Sequence, residues 1–146
     1  MTPQQIALVR SSFQRFTTLQ PIASAAAAIF YAKLFATDPS LRPMFKGDMA
    51  QQGERLMAMI STGVAMLDRA DALLPVLRQL GARHVRYGVR DEHYSIVGGV
   101  LVETLEQALG EDFSYEVREA WVTAYGLISK TMQEGAMTAW EEALAA

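Results

Sequence analysis

The chain of 146 residues contains two histidines, His84 and His93, and no cysteine. Any transition-metal site must therefore lean on imidazole, because thiolate ligands and disulfides are both excluded. His84 follows Leu77, Leu80 and Gly81 at spacings of seven, four and three, which puts it on the apolar face of a helix. A buried neutral imidazole offers one nitrogen to a metal, and its other nitrogen then needs a hydrogen-bond acceptor. Taken alone, a single histidine on an apolar face is more often a satisfied core residue. His93 lies three and four residues before Ile96 and Val97, in a first helical turn where the helix dipole favours the neutral ring. It too can face inward, and spacing alone does not choose between the two. Arg83, Arg86 and Arg90 form a loose basic cluster around the end of the His84 helix. They read either as favourable charge at a helix C-terminus or as an anchor for an anionic group beside His84. The carboxylate pairs Asp91-Glu92 and Glu141-Glu142 sit at helix ends or on polar faces, where capping and solvation explain them.

The elements that must position these residues are helices throughout. No stretch alternates with period 2 over a strand's length, and apolar residues recur at spacings of three and four. Thr2-Pro3-Gln4-Gln5 predicts a capped helix start, with Ile6, Val9, Phe13 and Phe16 on one face to about Leu19. Pro21 opens a second helix to about Ala36, and Asp38-Pro39 a short third one ending near Phe45. Asp48 caps a helix carrying a stripe of Leu56, Met59, Ile60, Gly63, Val64 and Leu67. Another runs from about Asp71 to Tyr87, with Pro75 in its first turn. Gly88 stops it, Asp91 caps a long helix to Leu109, and Gly110 ends that one. Ser114 caps the last, to about Glu134. Residues 135–146 form a tail of at most one or two further amphipathic turns. With no linker, repeat or low-complexity tract, the expectation is one all-α domain over 1–146 with its core at about 2–134.

The bulk composition agrees. Hydrophobic residues make up 51% and charged residues 20%, which is globular rather than disordered. A net charge of −3 with no basic run argues against nucleic acid, whose binding leans on phosphate neutralisation. The stretch Ala23–Ala28 is too short to span a bilayer, so no membrane is expected. The start has neither a positive segment nor a long apolar one, and a cytoplasmic location is the expectation.

Several blocks in order carry a family resemblance. They are Phe30-Tyr31-Ala32-Lys33-Leu34-Phe35, Asp38-Pro39, Leu41-Arg42-Pro43-Met44-Phe45, Leu80-Gly81-Ala82-Arg83-His84 with Tyr87-Gly88-Val89, His93-Tyr94-Ser95-Ile96-Val97-Gly98, and Ala120-Trp121 with Ala124-Tyr125-Gly126. In this order and spacing the chain resembles bacterial single-domain globins, the haem domain of flavohaemoglobins, and neuroglobin-like chains. The resemblance covers roughly Gln5 to Met132. It implies a three-over-three helical sandwich around haem b, iron protoporphyrin IX held without covalent attachment. It makes His84 the proximal iron ligand and Phe45 the aromatic residue packed on the haem. Tyr31 and Gln52 become the distal pair, with Gln51 the alternative to Gln52, and Leu56 the apolar residue over the iron. Arg83, Val89, Tyr94 and Val97 are assigned to the haem surround. Ala27 and Gly53 match small residues where two helices cross closely.

Haem with one axial histidine leaves a position open for O2, CO or NO. The resemblance therefore implies reversible O2 binding for transport or storage, or alternatively NO dioxygenation with a separate reductase. The Tyr31–Gln52 pair favours the second reading. Against it, no reductase domain is legible in the chain. In flavohaemoglobins a glutamate late in the last helix also reaches the proximal histidine through the tyrosine that Tyr94 matches. Counted from Ala124-Tyr125-Gly126, that position falls on Ala136, with Glu134 two residues early. A sensor would need an output domain, and none is legible. Monomer and homodimer both remain open, the latter through surface stripes around Trp121 and Trp140.

Overall fold

The computed structural model describes residues 1–145. Six α-helices follow one another, and no strand occurs among the described residues. They are α1 (Pro3–Leu19), α2 (Ala23–Thr37), α3 (Met49–Ala65), α4 (Ala70–Arg86), α5 (Asp91–Leu109) and α6 (Tyr115–Ala145). A short 3-10 helix, Pro39–Met44, bridges α2 to α3, and another, Gly110–Asp112, precedes α6.

The helix starts follow from local chemistry. Thr2 and Gln5 form a reciprocal capping box ahead of Pro3. Asp48 Oδ1 accepts from the Ala50 N–H at 2.8 Å, and Ser114 Oγ from the Val117 N–H at 3.2 Å. Gly88 turns the chain after α4 with φ +83°, a left-handed conformation that a side chain would oppose.

Several expectations need correction. Asp91 is the first residue of α5, not its cap. The N-cap position is Arg90, whose N–H donates to His93 Nδ1 at 3.0 Å. The second helix begins at Ala23, two residues after Pro21. Pro75 lies in the second turn of α4, not the first, because that helix begins at Ala70. On α3 Leu56, Ile60 and Val64 of the expected stripe pack on the core, but Met57 is buried there while Met59 is 39% exposed. The last helix does not stop near Glu134 but continues unbroken to Ala145. Trp121 carries no surface stripe: it is 4% exposed, and its indole N–H donates to Ser12 Oγ at 2.7 Å. Trp140 is 58% exposed, as a surface residue would be.

Two crossings set the architecture. On α2 and α3, a Cβ on Gly53 would stand 2.7 Å from the Ala27 Cβ, so the expected close approach of these residues is present. On α4 and α6 the backbones meet almost directly. A Cβ on Gly81 would stand 1.8 Å from the Met132 carbonyl oxygen, and one on Gly135 2.0 Å from that of Arg78. Each helix thus presents a glycine to the other's backbone. α4 packs chiefly on α6, and α3 on α2 and α1. Arg10 of α1 ties down the end of α3, donating to the carbonyls of Val64 (3.2 Å) and Ala65 (2.7 Å) and pairing with Asp68 (2.8 Å). No single described helix is long and apolar enough to cross a membrane.

Candidate functional site

The predicted residues come from α2, α3, α4, α5 and the turns between them. His84 lies in the last turn of α4, and its Nδ1 sits 2.7 Å from the Leu80 carbonyl oxygen. A carbonyl only accepts, so Nδ1 carries the proton and Nε2 keeps its lone pair. No described residue bonds to Nε2. Burial holds the His84 pKa below 6.5, with the Arg83 charge acting in the same direction and the Leu80 bond opposing them. The neutral, metal-ligating form is therefore the favoured one. His93 differs: its Nδ1 lone pair is taken up by the Arg90 N–H, so it serves as a helix cap.

Leu80, Val89, Ile96, Val97, Leu56 and Phe45 are half-buried apolar side chains that pack against the core. They come from α3, α4, α5 and the connecting turns. Half-buried apolar groups of this kind are what a flat apolar cofactor would cover. The donor set fits iron held through one imidazole, and no cluster of three or more His, Asp or Glu offers a different metal site among the described residues. The residues present thus fit haem.

On the α3 side, Tyr31 is buried, and burial raises its pKa, so the hydroxyl stays a donor. It donates to the Gln52 backbone carbonyl at a long 3.4 Å. Gln52 Nε2 donates to the Lys46 carbonyl at 2.9 Å. Tyr31 and Gln52 are therefore brought together, but each side chain is bonded to backbone rather than to the other. Gln51, the alternative, is exposed. Phe45 packs edge-on against Tyr31 (5.3 Å between ring centroids) and Phe35 (5.4 Å), making one aromatic cluster.

On the α4 side, Arg83, Arg86 and Arg90 are exposed and form no ion pair among the described residues. Glu134 is half-exposed, with its carboxylate 3.9 Å from Arg78. Ala136 is buried and offers no acceptor. Tyr94 is 6% exposed, and its hydroxyl has no hydrogen-bond partner. Burial, and then the nearby Asp91 charge, raise its pKa.

Tyr125 is a site residue that the sequence pattern does not reveal. Its hydroxyl donates to the Tyr94 carbonyl, and its ring occupies the space a Cβ on Gly98 would need. It therefore pins α5, and with it Tyr94, to α6. The only signal in the sequence was the tyrosine between Ala124 and Gly126, whose partner depends on tertiary packing.

Residues 28–132 match the globin family, and the chain belongs to that family. It is a haem globin. Among its relatives, the flavohemoprotein of Bordetella parapertussis is 32% identical over 132 residues, covering 88% of this chain and 32% of that protein. The flavohemoprotein of Chromobacterium violaceum is 34% identical over 106 residues, covering 70% of this chain and 26% of that one. The chain thus spans about a third of the length of these relatives. Among solved structures, an engineered carbene transferase that is a candidate nitric oxide dioxygenase of Rhodothermus marinus is similar. Its TM-score is 0.83 at 25% identity, covering 100% of this chain and 99% of that one. A bacterial globin of Campylobacter jejuni has a TM-score of 0.79 at 24% identity, covering 96% and 99%.

Proposed function

We propose that this globin binds O2 reversibly, and CO and NO likewise, at a b-type haem held by His84. The observation that carries the reading is the His84 ring: Nδ1 is bonded to a carbonyl and Nε2 is free. With no cysteine in the chain, attachment through thioether bonds is impossible, which supports the non-covalent b type. Haem held there supplies an open coordination position for a diatomic gas.

The chain's own residues then do three things. His84 fixes the iron, and Leu80 fixes the His84 tautomer. Phe45, Leu56, Val89 and Val97 keep water from the apolar faces. Tyr31, and Gln52 if it leaves the Lys46 carbonyl, hold donors on the distal side. Arg83 is exposed beside His84, suited to the carboxylates at the cofactor's edge.

A second reading is NO dioxygenation, which turns NO and O2 into nitrate and needs electrons from a separate reductase. The flavohemoprotein relatives and the Tyr31–Gln52 juxtaposition favour it. The proximal side favours storage. The Leu80 carbonyl is a weaker acceptor than a carboxylate, Glu134 is engaged with Arg78, and the Tyr94 hydroxyl has no carboxylate to relay.

The test is spectroscopic. Purified protein given haem should show a Soret band and, when reduced without ligand, a five-coordinate spectrum. No haem uptake, or a six-coordinate reduced spectrum, would overturn the assignment. Multiple turnovers of NO with a reductase supplied would select the dioxygenase reading; a single stoichiometric reaction would select storage.

A further inference from the structure

The turn after α4 folds back onto His84. The N–H groups of Tyr87 and Val89 both donate to the His84 carbonyl, at 3.1 and 3.2 Å, and Gly88 between them turns the chain with φ +83°. The Tyr87 ring lies edge-on to the His84 ring, with centroids 5.9 Å apart and planes at 69°. Tyr87 is nevertheless 61% exposed, and no described residue bonds to its hydroxyl. One phenol therefore meets both solvent and the candidate iron ligand.

A phenol that gives up an electron also sheds its hydroxyl proton, so an oxidisable tyrosine needs a proton acceptor as well as a path for the electron. The five tyrosines differ in both respects. The Tyr31 hydroxyl is committed to the Gln52 carbonyl and that of Tyr125 to the Tyr94 carbonyl. A carbonyl accepts a hydrogen bond but is too weak a base to take the proton. Tyr94 is buried with nothing bonded to its hydroxyl. Tyr115 is 72% exposed and can pass a proton to water, but it stands at the start of α6, away from His84 in the last turn of α4. Of the two tryptophans, Trp121 packs on Phe13 with its indole bonded to Ser12, and Trp140 lies in the final turns of α6. Tyr87 alone joins the two requirements: water for its proton and a ring edge against His84 for its electron.

We propose that Tyr87 is a surface oxidation site, at which the haem-loaded protein uses a hydroperoxide to oxidise phenols dissolved in water. The proposal rests on the reading that His84 holds haem. When bound there, haem supplies a centre at which the O–O bond of a hydroperoxide breaks, and which is then short of two electrons. Tyr87 returns them one at a time through the His84 ring. Each time, its phenolic proton goes to water, and a hydrogen atom taken from a dissolved phenol restores it. Over two rounds, one ROOH and two ArOH become ROH, H2O and two phenoxyl radicals, so atoms and electrons balance. The phenol reacts at the protein surface and never enters the distal side, so bulky and small phenols are both substrates.

The experiment mixes the ferric, haem-loaded protein with hydrogen peroxide, with and without guaiacol. Without guaiacol, freeze-quenched samples should show a tyrosyl radical by electron paramagnetic resonance, and peptide mapping should find Tyr87 in a dityrosine link between copies of the chain. Tyr87→Phe keeps a ring edge against His84 but has no hydroxyl proton to shed. It should lose the radical and most of the guaiacol oxidation. Its Soret band should match the parent's, which separates a lost oxidation site from a lost fold. Tyr115→Phe removes the other exposed tyrosine and should keep both the radical and the guaiacol oxidation. A radical that survives Tyr87→Phe, vanishes in Tyr115→Phe or is missing from the parent would overturn the proposal, as would guaiacol oxidation undiminished in Tyr87→Phe. A protein that takes up no haem would instead overturn the reading on which it rests.

Discussion

Alanine at Gly81 and alanine at Gly126 should change stability in opposite directions, although both glycines lie inside helices. A Cβ on Gly81 would meet the Met132 carbonyl oxygen at 1.8 Å, its carbon at 2.5 Å and its Cα at 2.7 Å. Ordinary contact begins at 3.4 Å, so α4 and α6 must separate by about 1.6 Å at their crossing. The obstacle is backbone and has no rotamer by which to yield. Overpacking of this kind costs about 1–3 kcal/mol, sometimes more. The gain in helix propensity returns only about 0.5–1 kcal/mol. Gly126 has nothing within 4 Å of its prospective Cβ, so alanine there keeps the propensity gain alone. For a domain of this length, 1 kcal/mol moves Tm by roughly 2–4 °C. Calorimetry of the apo-protein should thus show Gly126→Ala melting a few degrees higher and Gly81→Ala several degrees lower. Because α4 carries His84, Gly81→Ala should also release haem to an acceptor globin faster than the parent does. A Gly81→Ala protein as stable as the parent, holding haem as long, would refute the claim that this backbone contact positions the ligand.

Tyr31→Phe removes the distal hydroxyl. A hydrogen bond to a charged acceptor is worth about 1.5–3 kcal/mol, so O2 dissociation in stopped flow should accelerate by roughly 10- to 100-fold; an unchanged rate would remove Tyr31 from the role. Ser12→Ala strands the buried Trp121 N–H, which donates to Ser12 Oγ at 2.7 Å, and should cost about 1–3 kcal/mol in urea titrations, with m unaltered. The His84 pKa is lowered in the folded chain from 6.5. Below about pH 6.5 the unfolded chain takes up a proton that the folded one resists, so apo-protein stability is fully present above that pH and falls as pH drops toward the folded value. His84→Gln should flatten that limb, and a limb of equal slope would assign it to other groups.

The helices were legible because capping and periodicity are local. Thr2 with Gln5, and Asp48 ahead of Ala50, act within three residues of themselves. Where two neighbouring residues competed for one role, locality failed. Asp91 is a better cap by composition than Arg90, but the His93 ring turned back onto the Arg90 N–H and moved the boundary. Met57 and Met59 are equally apolar, and only tertiary packing decides which is buried. Trp121 looked like surface because its partner, Ser12, lies 109 residues away. In the sequence Gly135 reads as a stop for α6. In the folded chain it is a contact, tolerated in mid-helix because Arg78 of α4 needs the space.

The site divides along the same line. His84 could be placed on an apolar face from spacing, but its tautomer depends on the Leu80 carbonyl one turn earlier, which leaves Nε2 free. Tyr31 and Gln52 lie in different helices and meet because Ala27 and Gly53 let α2 and α3 approach. The relation of the ligand to its support was the least legible part. Tyr125 holds the Tyr94 carbonyl and fills the space above Gly98, so the α5 turn behind the ligand is braced by a ring, while the Tyr94 hydroxyl is left without a partner. An unpartnered buried hydroxyl costs about 1–3 kcal/mol, and a carboxylate within reach would recover it. No carboxylate takes it, and Glu134 lies beside Arg78 instead, an arrangement that supports the proposed storage reading, in which the proximal imidazole is neutral. A low iron–histidine stretching frequency in the resonance Raman spectrum of the reduced protein would agree with a neutral ring, and a high one would show that haem binding recruits an anionic partner to Tyr94 or His84.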